Sequence, residues 1–133
     1  MRLSKKSKRI DVYSKYNGKC AYCGCDINVR QMQVDHIVPR SYFIDHITKM
    51  DKVPVFLRNL TITDIDHIDN LNPACGVCNK WKSDHHLELF RSEIEAQVKR
   101  LNEYSASYRM AKRYGLINEN EIKIKFYFEQ FKN

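Results

Sequence analysis

The sequence predicts a small α+β domain with a long C-terminal helix and a terminal strand, and three observations carry that prediction. Two Cys-x-x-C pairs, Cys20 with Cys23 and Cys75 with Cys78, stand far apart in the chain and can close it on itself. Leu87, Phe90, Ile94, Val98, Leu101, Tyr104 and Tyr108 recur at three and four, the spacing of one helix face. Ile122, Ile124, Phe126 and Phe128 then alternate with Lys123, Lys125 and Tyr127, the period of a half-buried strand.

The elements follow in chain order. Arg2, Lys5, Lys6, Lys8 and Arg9 make residues 1–9 a basic arm, read as solvated and partly disordered. Ile10, Val12, Tyr13 and Tyr16 fit one face of a short helix that ends at Gly18 and delivers the chain to Cys20. Met32, Val34 and His36-Ile37-Val38 read as a strand stopped by Pro39, which places Asp35-His36 near a strand end. Residues 40–69 show no sustained period and read as an insertion with a short helix or two. The long helix is expected from about 84 to 113, with Ser83 or Asp84 as its N-cap and Lys112, Arg113 and Gly115 as its stop.

At 133 residues, with 4 Gly and 3 Pro scattered and no repeat or linker, one continuous domain is expected. Its parts are the arm (1–9), a core (10–84) and a C-terminal extension (85–133). Lys and Arg number 23 against 16 Asp and Glu, so the formal charge of +7 suits a protein that meets polyanions. No apolar run reaches the length of a membrane span and the first residues lack a signal-peptide core, so a cytoplasmic protein with reduced thiols is expected.

Five cysteines cannot all pair with one another, which argues for metal over a disulfide framework. Each Cys-x-x-C aims two thiolates at one point, and Cys20, Cys23, Cys75 and Cys78 together supply a tetrahedral structural zinc with no open position for water. Cys25 is a rival to Cys23 as ligand, but the spacing favours Cys20 with Cys23 and leaves Cys25 a free thiol beside the knuckle.

Between the pairs runs Val34-Asp35-His36-Ile37-Val38-Pro39-Arg40-Ser41, and around the second runs Asp69-Asn70-Leu71-Asn72-Pro73-Ala74-Cys75-Gly76-Val77-Cys78-Asn79-Lys80-Trp81-Lys82. Over roughly residues 10–84 this arrangement resembles the HNH endonuclease family: zinc knuckle, Asp-His-Ile-Val-Pro strand, Asn-Leu, second knuckle, then His or Asn and a nearby Lys. The resemblance implies a ββα-metal core, two antiparallel strands and a helix holding one catalytic ion, with the zinc fastening the ends. It implies His36 as general base, Asp35 and Asn79 as ligands of Mg²⁺ or Mn²⁺, Asn70 as a residue orienting the active loop or His36, and Lys82 as a phosphate contact. Asn79 stands where the family more often has histidine, a variant that resembles the HNH domain of RNA-guided CRISPR nucleases and is expected to favour magnesium.

The residue chemistry agrees with those roles. An imidazole exchanges protons near neutral pH, and carboxylate and amide oxygens are hard ligands suited to Mg²⁺ or Mn²⁺. The expected partner is DNA, met mainly through its phosphates by Arg40, Lys80 and Lys82; the long helix and terminal strand either pack on the core or extend that basic surface through Lys99, Arg100, Arg109, Lys112 and Arg113. A homodimer, with one site for each strand, or an accessory partner of a phage-packaging or restriction kind fits the same site. A zinc-knuckle module that binds DNA without cutting is the rival reading.

Asp45-His46-Ile47 and Asp66-His67-Ile68 repeat the Asp-His-Ile tripeptide, but neither leads into Val-Pro-Arg-Ser. Asn59-Leu60 and Asn72 imitate the middle Asn less well than Asn70. His85 and His86 are read as solvent-facing residues near the start of the long helix.

Overall fold

The computed structural model describes residues 5–44 and 50–131 of the chain. It is α+β: ten-residue helix α1 (Lys5–Ser14), strand β1 (Gln33–His36), helix α2 (Arg40–Ile44), a run of short 3-10 turns, strand β2 (Leu71–Ala74) and helices α3 (Gly76–Lys82), α4 (Leu87–Glu95), α5 (Gln97–Tyr104) and α6 (Ala106–Arg113), closed by a 3-10 turn at Tyr127–Phe131. It divides into two compact units, Met1–Leu87 with Lys125–Asn133, and Glu88–Ile124.

In the first unit β1 and β2 pair antiparallel, with Asp35 opposite Asn72 and His36 opposite Leu71. Two strands alone are marginal in water, so the pair depends on what covers it. Val12 of α1, Met32 and Leu71 form a buried cluster, joined at its edge by Tyr13, Ile27, Val34 and Ile68. Lys15, just after α1, adds a polar tie to the start of β2 and the turn before it, donating to the carbonyls of Ile68 at 3.0 Å and Leu71 at 2.5 Å. β1 ends at His36 because the next backbone groups turn to Asn70: Ile37 N–H donates to the Asn70 carbonyl at 2.8 Å and Val38 N–H to its side chain at 2.8 Å.

The basic arm is shorter than expected. Helix begins at Lys5, and Arg9 donates to the carbonyls of Val29 at 2.7 Å and Met32 at 2.6 Å, which recruits part of the expected arm into the fold. Residues 1–4 and the Asp45-His46-Ile47 tripeptide lie outside the described residues. After α1 the chain reverses through Asn17 and Gly18, both at positive φ. A Cβ on Gly18 would stand 2.7 Å from the Tyr13 hydroxyl, which itself donates to the Ile27 carbonyl at 2.9 Å. Gly18→Ala combines a strained backbone with a clash and is expected to destabilise the protein by about 1–2 kcal/mol, read as a lower urea midpoint.

The second unit is helical, and the long helix expected over 84–113 is segmented. Ser83 does not cap its start: at φ 51° it ends α3, and regular helix resumes at Leu87. A turn at Ala96 separates α4 from α5, and Ser105, extended at φ −114° and ψ 106°, caps α6 by accepting from Tyr108 N–H at 3.1 Å. Serine competes for backbone groups in this way, which favours a cap over a helix interior. Glu119 clasps this unit: its carboxylate, held down to about 2 by hydrogen bonds from Asn102, Tyr108 and Lys112, accepts from Asn102 and Tyr108 at 2.7 Å each.

The terminal strand expected over 122–128 does not form. Its alternation does bury Phe126 and Phe128, but the backbone finds partners other than a ladder. In the second unit Ile124 N–H donates to Glu95 and its carbonyl accepts from Arg91 at 2.6 Å. In the first, Tyr127 and Phe128 donate to the carbonyls of Tyr22 and Ala21. No helix among the described residues is long and apolar enough to cross a membrane.

Candidate functional site

Two hairpin-like knuckles bring the four paired cysteines together. In the first, Cys20 N–H donates to the Cys25 carbonyl at 2.8 Å and Gly24 N–H to the Cys20 carbonyl at 2.9 Å, folding the loop over the two sulfurs. In the second, Cys75 caps α3, its Sγ accepting from Cys78 N–H at 3.4 Å. The Sγ atoms of Cys20, Cys23, Cys75 and Cys78 all lie within 4.8 Å of one another, and Cys23 and Cys75 are 3.9 Å apart. Zn–S bonds of about 2.3 Å in a tetrahedron separate sulfurs by about 3.8 Å, so this donor set can hold a zinc ion. Cys25 is exposed and outside that cluster.

β1 carries Asp35 and His36 to opposite sides, because side chains alternate along a strand. Asp35 is 4% exposed and sits in a buried polar network. Tyr22, inside the first knuckle, donates its hydroxyl to Oδ2. Lys82, fully buried at the end of α3, stands 3.3 Å from Oδ1 and 3.2 Å from Oδ2, and donates to the His36 carbonyl at 2.9 Å. Burial pushes the Asp35 carboxyl above its ordinary range, opposed by the Lys82 charge and the Tyr22 hydrogen bond; burial likewise lowers the Lys82 ammonium.

The expected phosphate contact at Lys82 is therefore corrected: its ammonium is turned inward to a carboxylate and a carbonyl, and no part of the side chain reaches solvent. Removing it would strand a buried carboxylate. Lys82→Ala is expected to cost about 3 kcal/mol, measured as unfolding free energy, and far more than Lys80→Ala on the exposed face of α3.

His36 is partly exposed, and its Nε2 lies 2.7 Å from Asp66 Oδ1. That hydrogen bond holds the Asp66 carboxyl below its usual range. Asn79, on α3, donates weakly to Gln33 at 3.5 Å, and its carbonyl oxygen has no protein partner among the described residues. An open cleft of about 440 Å³ gathers Asp35, His36, Arg40, Asp66, Asn79 and Asp84 on its walls. Asn70 is fully buried beneath it, accepting from Val38 N–H at 2.8 Å and donating to the carbonyls of Val38 at 3.2 Å and Ile65 at 2.9 Å.

Two residues of this site were not found by sequence reasoning. Tyr22 carries no motif signal beyond its place between two cysteines, and Asp66 belongs to a tripeptide set aside because it does not lead into Val-Pro-Arg-Ser. His67 of that tripeptide is turned to the backbone, capping the turn at Ile68–Asn70 by accepting from Asp69 N–H. Asn72 is buried and donates to the Tyr22 hydroxyl at 3.4 Å. His85 and His86 are half-buried, not solvent-facing, and His86 packs against the Tyr42 ring.

No family model and no curated protein matches the sequence. Among solved structures, the chain is similar to one described as the type II-C Cas9 enzyme from Actinomyces naeslundii, at 23% identity and a TM-score of 0.48. The similarity covers 71% of this chain and 9% of that one.

The further basic surface expected on the second unit is largely spent on internal partners. Arg100 pairs with Glu93 at 2.8 Å, Lys112 with Glu119 at 3.0 Å and Lys99 with Glu103 at 3.9 Å. Arg109 donates to the carbonyls of Asn102 and Glu103. Residues 88–124 hold seven Lys and Arg against six Glu, a net +1, so +6 of the formal +7 belongs to the unit that carries the cleft.

Proposed function

We propose that this chain is a metal-dependent endonuclease of the HNH kind that hydrolyses DNA phosphodiester bonds. The observation that carries the reading is the shared cleft, whose walls include His36, Asp35, Asp66, Asp84 and Asn79, the last with an amide oxygen that has no protein partner among the described residues. Phosphodiester hydrolysis needs a base for water, positive charge at the phosphate and stabilisation of the leaving oxygen.

His36 is the general base. Asp35 and Asn79 would hold one Mg²⁺ or Mn²⁺; the oxygens are hard ligands, and Asp35 Oδ1 keeps lone-pair capacity beyond the one bond it accepts, from Lys82. When bound, the ion supplies charge neutralisation at the phosphate. Lys82 acts from behind, fixing Asp35 and the His36 carbonyl from within the fold. Asn70 holds the loop after β1, and Arg40 and Lys80 meet the phosphates, a grip that weakens as salt rises. The zinc is structural.

A binding module that does not cut is the second reading, favoured by one observation: both Asp35 oxygens are already engaged by Tyr22 and Lys82. Supercoiled plasmid separates the two readings. Incubation with zinc-loaded protein in Mg²⁺, Mn²⁺ or EDTA is expected to give relaxed or linear DNA only with the divalent ion. Plasmid that is retarded on a gel but intact in every condition favours the binder; cleavage that appears only with an added cellular partner makes the chain an accessory component.

A further inference from the structure

Asp66 has no role in the chemistry so far, yet its Oδ1 is the one protein partner of the His36 ring among the described residues, at 2.7 Å from Nε2. A carboxylate only accepts hydrogen bonds, so in the neutral ring Nε2 carries the proton and Nδ1 keeps its lone pair. The approach is built into the backbone. Asn70, fully buried, accepts from Val38 N–H at 2.8 Å and donates to the Ile65 carbonyl at 2.9 Å, so a single side chain ties the segment after His36 to the residue before Asp66. The surrounding turns are closed as well: Asp64 accepts from Thr61 N–H at 2.9 Å, and the N–H groups of His67 and Asn70 donate to the carbonyls of Asp64 and His67 at 2.8 Å each.

We propose that Asp66 is a positioning residue for His36, fixing the ring and its tautomer through Nε2–H so that Nδ1 is the nitrogen left to take a proton. The inference rests on the nuclease reading. The proton from the attacking water goes to Nδ1 and gives an imidazolium; Asp66 stays ionised and faces the new charge without taking the proton itself. An exposed ion pair of this kind adds little to stability. Its effect lies in the orientation and tautomer of the base, as with the partners that orient histidine ligands.

The test uses the full zinc-loaded chain as wild type, Asp66→Ala and Asp66→Asn. The first readout needs no DNA: ring ¹⁵N shifts of neutral His36 should show the Nε2–H tautomer in wild type and a shift toward a mixture in Asp66→Ala. The second is single-turnover plasmid cleavage, where Asp66→Ala should lower the rate about ten- to hundredfold with half-saturating DNA and Mg²⁺ concentrations unchanged. Asp66→Asn, whose carbonyl still accepts from Nε2–H, should keep the tautomer and recover part of the rate.

Identical ring spectra in wild type and Asp66→Ala overturn the proposal, as does an unchanged cleavage rate. A raised Mg²⁺ requirement with an unchanged tautomer also overturns it and makes Asp66 an ion ligand. A wild-type protein that does not cut overturns the nuclease reading alone, because the ring spectra still decide whether Asp66 sets the tautomer.

Discussion

His36→Ala is expected to lower cleavage of supercoiled plasmid by about 10²–10⁴-fold while the protein keeps its zinc and its fold. The geometry allows that separation. The His36 side chain is 38% exposed and its ring makes one hydrogen bond among the described residues, to Asp66, whose own side chain is 69% exposed. Truncating it opens no enclosed cavity and strands no buried polar group. The backbone bond from Lys82 to the His36 carbonyl survives the substitution, so β1 stays in place. The rate is read in single-turnover reactions beside zinc content by mass spectrometry and the urea midpoint. Wild-type cleavage by a folded His36→Ala protein would remove the base from this residue and the mechanism with it.

Stripping zinc is expected to unfold the unit that carries the cleft, a loss on the order of 10 kcal/mol of metal-linked folding energy at neutral pH. Four thiols held within 4.8 Å repel once ionised without a cation, and the segments they join are 52 residues apart at their closest, from Cys23 to Cys75. The consequence reaches the site directly. Tyr22 lies between Cys20 and Cys23 and bonds Asp35; Lys82 ends the helix that Cys75 begins and bonds both Asp35 and the His36 carbonyl. Both knuckles therefore hold β1 from behind. A strong chelator should abolish the near-ultraviolet circular dichroism of buried Tyr22 together with cleavage, and Cys78→Ser should do the same without chelator. A chelated protein that retains that signal would show that the cysteine cluster is dispensable for the fold.

The network behind β1 also explains where sequence reasoning stopped. Spacing identifies groups that act together when local geometry fixes their direction, as Cys-x-x-C does for two sulfurs. It was enough for the α+β class, for the gathering of Cys20, Cys23, Cys75 and Cys78, and for a strand through Asp35 and His36, although the strand stops at His36 and not at Pro39. It failed where the partner is distant and carries no pattern. The family resemblance makes Lys82 a phosphate contact, and only the packing of α3 against β1 shows it buried against Asp35. Asp66 looked like part of a spare tripeptide, and only Asn70, bridging Val38 and Ile65, brings it to His36.

Helical and strand periodicity behaved the same way. The apolar spacing from Leu87 to Tyr108 did mark helix, but Ser105 could cap a new helix as readily as continue an old one, and the surrounding chain selected the cap. The alternation from Ile122 to Phe128 did mark the buried rings of Phe126 and Phe128, but a strand also needs an edge to pair with. The backbone here was already committed to Glu95 and Arg91 in one unit and to the first knuckle in the other.

The sequence by itself determined the donor chemistry: four soft thiolates in two fixed pairs, an Asp-His dipeptide at a strand end, and an excess of positive charge. Only the tertiary structure decided which of those groups are turned to the cleft and which to the interior. Exposure and charge pairing are set by contacts between residues such as Tyr22, Asp35 and Lys82, which are far apart in the chain and whose local sequence leaves their partners open.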